Sequence, residues 1–210
     1  NLQNRSLEFS LLISLPSAVG LYILAKPIIF ILFERGAFLT EDTLYTAKVL
    51  SFFSLGLPAY ILIKVLVTCF FSREDTKSPL YISLVSVVIN IVLSILLISS
   101  MREMGIALAT AISAWINFFL LFFILKFKKN LVLDNILLRN TFKIIISVFV
   151  MLCGCYLLKE INFIDLNNSD FFINVIRLIF IIICSKIIYL TMIFILKVIT
   201  FQDIRRYIQK

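Results

Sequence analysis

Apolar residues in this chain arrive in runs long enough to cross a bilayer, and short charged stretches separate them. Crossing a hydrocarbon core of about 30 Å takes roughly 20 apolar residues in an α-helix. Six runs qualify: Leu7 to Phe33, Leu44 to Phe71, Leu80 to Ile98, Met104 to Phe127, Phe142 to Leu158 and Phe171 to Thr200. Hydrocarbon offers no partner for backbone N–H and C=O groups, so a run buried in it satisfies itself as a helix. Composition points the same way, with 61% of the 210 residues hydrophobic and 15% charged, against about 25% charged in a soluble domain. No single globular core absorbs that much apolar surface. The expected fold is an all-α integral membrane protein with six transmembrane helices.

The first run contains Pro16 and Pro27, which predicts a kink near Pro16 and an end near the interface around Lys26. Glu34, Arg35 and Gly36 then make a turn, and Thr40 ahead of Glu41 and Asp42 reads as an N-cap with acidic residues in the first helical turn. Ser72 to Pro79 is a polar hairpin whose proline suits a first helical position. Both connections are short, so the helices they join run antiparallel. Assigning alternate loops to opposite sides puts twelve basic residues on one: Arg5, Arg73, Lys77, Lys126, Lys128, Lys129, Arg139, Lys143, Lys197, Arg205, Arg206 and Lys210. The other side has six, Lys26, Arg35, Lys48, Arg102, Lys159 and Arg177, while Lys64 and Lys186 lie within spans. By the positive-inside rule the richer side, and with it both termini, faces the cytoplasm.

Four parts are expected along the chain: four transmembrane helices over 1–127, a cytoplasmic linker over 128–141, a final helix pair over 142–200 and a basic cytoplasmic tail over 201–210. Leu131, Leu133, Ile136 and Leu137 fall near helical spacing, which suits a short helix lying flat at the interface. Arg205, Arg206 and Lys210 in the tail suit anionic headgroups. The chain begins at Asn1 without a signal-peptide pattern and reads as a mature segment of something longer.

Several function classes lose their support at this level. Cys69, Cys153, Cys155 and Cys184 sit inside apolar runs with no CxxC pair, and the sequence has no histidine, so neither a zinc site nor a disulfide framework is expected. The net charge of +8 belongs to loops beside spans rather than to a soluble nucleic-acid-binding face; membrane lipids or an anionic substrate are the partners it suits. No glycine-rich phosphate loop, GxSxG or paired carboxylates on one helix occur, so no enzyme and no cofactor is implied.

Ionisable groups within spans cost at least about 2.5 kcal/mol at mid-helix, and each therefore raises a functional question. Lys186 is near the middle of the sixth run, and Lys64 lies about 12 Å along the helix from the hairpin end of the second. Either ammonium can attract a phosphate in a hydrated cavity, or meet backbone carbonyls, polar neighbours or a lipid headgroup. Asn90, Ser94, Ser113 and Asn117 lie inside spans three and four; they can line a pathway or bond between helices. Trp115 is mid-span and reads as packing, whereas Tyr45, Tyr81 and Tyr156 sit at belt positions. Arg35 beside Glu34, and Arg73, Asp75 and Lys77 around Glu74, are candidates for orienting headgroups or gating at opposite faces, or are solvated turns. No carboxylate stands in the middle of a span.

Several stretches carry a family resemblance in order and spacing: Leu15-Pro16-Ser17-Ala18-Val19-Gly20, Phe33-Glu34-Arg35-Gly36-Ala37-Phe38, Gly56-Leu57-Pro58-Ala59-Tyr60 running into Lys64-Val65-Leu66, and Phe71 to Pro79. Gly105 to Thr110, leading to Ser113-Ala114-Trp115-Ile116-Asn117, continues it. Over Leu7 to Leu125 the chain resembles the MurJ/MviN family; from Phe142 only hydropathy and span count agree. The resemblance implies a lipid II flippase of the multidrug/oligosaccharidyl-lipid/polysaccharide exporter superfamily, with fourteen spans of which this chain supplies the C-terminal six. It implies a polyprenyl-pyrophosphate-linked sugar as substrate, a missing N-terminal half of the same protein as partner, and the bacterial inner membrane as location. The family's functional arginines lie in its first, second and eighth spans, so none is carried onto a residue here. Two rival readings stand beside it: another lipid-linked polysaccharide or drug exporter of the superfamily, and a non-transporting membrane scaffold.

Overall fold

The computed structural model describes residues 2–128, 131, 133–159 and 171–198. Six α-helices run through them: α1 (Leu2–Phe33), α2 (Thr40–Phe71), α3 (Lys77–Met101), α4 (Glu103–Phe127), α5 (Asn135–Leu158) and α6 (Phe171–Ile195). All six are long and apolar enough to cross a membrane, and no strand occurs among the described residues. The chain is a multi-pass helical membrane protein. The expected basic tail over 201–210, Lys129 and the end of the last run at Thr200 lie outside the described residues.

The helices form two compact units, Asn1–Asp134 and Asn135–Lys210. In the first, α2 packs against α1 and α4, and α4 packs against α3. Small residues make the α2–α4 approach possible. A Cβ on Gly56 would stand 3.0 Å from the Ala111 Cα, and Gly105, Ala107, Ala109, Ala111, Ser113 and Ala114 of α4 are all buried. Lipid is as apolar as leucine, so close backbone approach and van der Waals contact hold such helices together. Leu66, Phe70, Leu121 and Leu125 complete this core with almost no exposure. By contrast α3 buries only Pro79, Ile82 and Ser86.

Three local expectations are corrected. The first helix does not end near Lys26 but runs through Pro27 to Phe33, because Ile28 to Phe33 is still apolar and a helix in lipid continues until its end groups reach water. Thr40 is the first helical residue rather than the cap. Leu39 holds the cap position, where its side chain has nothing to donate or accept, and its N–H bonds to Asp42 Oδ2 at 2.9 Å. Pro79 is the third residue of α3 instead of the first; it still falls among the N–H groups that lack an intrahelical acceptor.

The α2–α3 turn closes through Asp75 N–H to the Phe70 carbonyl at 3.2 Å and Glu74 N–H to Phe71 at 3.0 Å. Glu74 sits in the left-handed region at φ 59° to make that possible. A single residue, Arg102, separates α3 from α4. A Cβ on Gly105 would come within 2.6 Å of the Leu97 carbonyl oxygen, so only glycine lets the two helix ends meet this tightly.

In the second unit α5 and α6 pack together. Residues 135–141 of the anticipated interfacial linker are the first turns of α5, and the reason is visible in its buried stripe. Leu137, Asn140, Ile144, Ser147, Val148, Met151 and Cys155 follow helical spacing without a break, so one face continues from the linker into the span. On α6 the matching stripe is Asn174, Leu178, Ile181, Ser185, Tyr189 and Ile193.

Candidate functional site

Two arrangements in the first unit hold most of the polar chemistry. Between α2, α3 and α4 lies a pocket of about 190 Å³ lined by Tyr60, Ser86, Asn90, Thr110, Ser113 and Asn117 among others. Asn90 and Asn117, selected from different spans, are thus brought together. Most of the hydroxyls have already spent their hydrogens on their own helices: Ser86 donates to the Ile82 carbonyl at 3.0 Å, Thr110 to Ile106 at 2.8 Å and Ser113 to Thr110 at 3.0 Å. Ser94 donates to Asn90 Oδ1 at 3.0 Å. What remains facing the pocket is the acceptor lone pairs of these hydroxyls, the amides of Asn90 and Asn117 and the Tyr60 phenol, without a formal charge. Tyr60 Oη and Asn117 Oδ1 are buried without a hydrogen-bond partner. At about 30 Å³ per water the space takes roughly six, enough to satisfy both.

Next to the lining residue Ala114, Trp115 Nε1 donates to the Leu55 carbonyl of α2 at 2.9 Å. Pro58 has no N–H, which removes the bond to the Ser54 carbonyl one turn back and loosens the ladder beside Leu55. Trp115 therefore does more than pack.

The second arrangement is the α2–α3 hairpin. Lys128, just past α4, places Nζ 2.6 Å from Asp75 Oδ2 and 3.1 Å from Ser78 Oγ. The same ammonium stands 5.9 Å from the centroid of the Phe70 ring. Asp75 also accepts from the Ser78 N–H at 3.0 Å and the Ser78 hydroxyl at 2.7 Å, capping α3 from outside. The bond from Lys128, followed by those from Ser78, holds the Asp75 carboxyl down to about 2 from its ordinary 3.8. Its oxygens are thus engaged within the hairpin, while Arg73 and Lys77 are exposed on it.

At the opposite end, Thr40 and Thr43 donate their hydroxyls to Glu34 at 3.0 and 2.5 Å, and Arg35 Nη2 donates to the Ile31 carbonyl at 3.1 Å. Arg35 closes the end of α1, as a cation at a helix C-terminus should. Lys64 is exposed on α2 and does not line the polar pocket. Lys186 is exposed on α6, one residue after buried Ser185. No group of His, Cys, Asp or Glu that could hold a metal ion occurs among the described residues.

The model of the family described as lipid II flippase MurJ matches residues 1–177. The chain belongs to the MurJ family. A probable lipid II flippase MurJ of Rhizobium tropici is 46% identical over 151 residues, covering 72% of this chain and 28% of that protein. One from Buchnera aphidicola subsp. Schizaphis graminum is 36% identical over 196 residues, covering 90% and 37%. A solved structure of lipid II flippase MurJ in an inward closed conformation superposes with a TM-score of 0.75 at 29% identity, covering 90% of this chain and 37% of that one. The chain thus spans about a third of the length of these MurJ relatives. The family match extends past the Leu7 to Leu125 stretch that carries quotable motifs, through α5 into the start of α6.

Three residues of this MurJ chain make contacts that sequence pattern alone did not single out. Tyr60 is a tyrosine far from either span end, which is itself the signal. Lys128 reads as one of a basic cluster until α4 brings it beside Asp75, 53 positions away. Glu8 is buried at 7% exposure and paired with Arg5 at 2.9 Å; the i, i+3 spacing of opposite charges was its mark.

Proposed function

We propose that this chain is spans nine to fourteen of a fourteen-span flippase that carries lipid II across the bacterial inner membrane by alternating access, for cell-wall synthesis. The observation that carries the reading is the MurJ family match over residues 1–177. In such a cycle two lobes rock so that a central cavity opens first to one side and then to the other. The unit α1 to α4 is the greater part of one lobe, and its close α2–α4 joint suits a body that moves as a whole. The polyprenyl tail stays in lipid beside α5 and α6. Transport rather than catalysis is the activity, with lipid II, membrane lipids and the rest of the same protein as partners.

Both ends of this stretch face the cytoplasm, on the strength of twelve basic residues against six. That places the α2–α3 hairpin on the cytoplasmic side. Lys64, about 10 Å along α2 from Phe71, is exposed and has no partner among the described residues, which suits capture of a pyrophosphate on entry. Arg73 and Lys77 offer further charge at that level, and Asp75 braces the hairpin that carries them. Asn90 and Asn117 are neutral hydrogen-bonding stations deeper in the span, Arg35 faces the outer side, and Lys186 stands on the helix pair.

Complementation by the full-length protein, read together with a lipid II translocation assay, tests the assignment. Lys64→Ala is expected to lose both at unchanged protein level, and Lys186→Ala to keep both. Normal growth with both lysines replaced sinks the cavity role.

A further inference from the structure

At the end of the first unit away from the hairpin, α1, α2 and the α3–α4 turn enclose an open cleft of about 390 Å³. Its lining is Tyr22, Lys48, Ser51, Phe52, Met101 and Met104, one cation and one phenol above an apolar floor. The Lys48 ammonium has no partner among the described residues, and neither does the Tyr22 hydroxyl. Ser51 has spent its hydrogen on the Ala47 carbonyl at 2.9 Å and keeps only acceptor capacity. The free donors are therefore Lys48 and Tyr22, which is a set for an anion.

Depth says which anion. The 32 residues of α2 extend about 48 Å against a hydrocarbon core of about 30 Å, so about 9 Å projects at each end of a centred helix. Lys48 is eight residues from Thr40, about 12 Å in, which sets its Cα just inside the hydrocarbon and its ammonium within reach of the lipid phosphates. Met101 closes α3 and Met104 opens α4 at the same level. Lys26, one turn along α1 from Tyr22, adds a second exposed ammonium there. Flexible thioethers and the Phe52 ring suit the first methylenes of an acyl chain.

We infer that this cleft is a binding site for an anionic phospholipid of the leaflet on that side, with its phosphate on Lys48 and Tyr22 and its chain against Phe52, Met101 and Met104. The site is separate from Lys64 and from the polar pocket, and it serves to fix a lipid at the α3–α4 turn.

Full-length protein in phosphatidylcholine nanodiscs doped with phosphatidylglycerol, released and weighed by native mass spectrometry, tests it. The wild type is expected to retain phosphatidylglycerol in preference to phosphatidylcholine. Lys48→Ala should lose that retention by roughly fivefold, the weight of one basic residue near an anionic surface, and Lys48→Arg should preserve it. Lys126→Ala, at the other end of α4, should leave it unchanged. Equal retention by Lys48→Ala, or equal loss in Lys126→Ala, overturns the site. Displacement of the retained phosphatidylglycerol by a polyprenyl phosphate overturns the bulk-lipid assignment in favour of the transported lipid.

Discussion

At the hairpin end of the four-helix unit, Lys128 reaches Asp75 across 53 positions of sequence and ties the end of α4 to the start of α3. At the opposite end Glu34 holds Thr40 and Thr43 within one turn region and Ser51 reaches the Tyr22 carbonyl of α1 at 3.3 Å, but an open cleft separates α1 and α2 from the α3–α4 turn. Both ends have charged residues, so charge content does not explain the difference. The first end spends its charge on joining helices and the second leaves Lys48 unspent. One rim of the unit is thus braced across helices, and the other stays open.

Substitutions at the two ends sharpen this contrast, and the largest effect is expected where backbone meets backbone. Gly105→Ala puts a methyl against the Leu97 carbonyl, 2.6 Å away, and should destabilise the full-length protein by about 3 kcal/mol, at the upper end for overpacking. Thermal unfolding in detergent reads this, and an unchanged midpoint breaks the picture of a tightly joined α3–α4 turn. Thr43→Val removes a fully buried hydroxyl that donates to a carboxylate, for about 2 kcal/mol on the same assay. A loss no larger than that from Thr40→Val, at an exposed position, would mean that the buried bond carries no special weight.

The smallest effect belongs to the exposed brace, because solvent screens it. Asp75→Asn and Lys128→Ala together should cost less than the sum of the two alone. Asp75 is held at about 2 from 3.8, so its contribution is present above 3.8 and is lost as pH falls through about 2. The stability gap between wild type and Asp75→Asn should therefore be constant near neutrality and close over that window. A gap that closes near pH 6 would assign the effect to another group.

Span count and fold class were readable because hydrocarbon leaves a helix no alternative, and the short turns at Glu34 to Gly36 and Ser72 to Pro79 needed only local chemistry. Asn90 and Asn117 were readable as rare amides in apolar runs, although their meeting was not, since it depends on how α3 and α4 face each other. Thr40 was misplaced by one position because its hydroxyl serves Glu34 instead of the helix end, a choice made by the fold of the preceding turn. Lys128 and the Trp115 bond to Leu55 were hidden for the same reason: their partners lie 53 and 60 positions away. Residues 135–141 join α5 because Leu137 and Asn140 share the stripe of Ile144 and Ser147, a continuity visible only once that face is seen buried.

The one-residue link at Arg102 also fixes the phase of α4. Inserting a single residue there would turn the helix by about 100° about its axis and carry Ala111 off Gly56, Trp115 off the Leu55 carbonyl and Asn117 out of the polar pocket in one step. Length polymorphism among functional descendants of this chain should accordingly be absent between Leu97 and Gly105, however freely the side chains at Met101 and Arg102 drift.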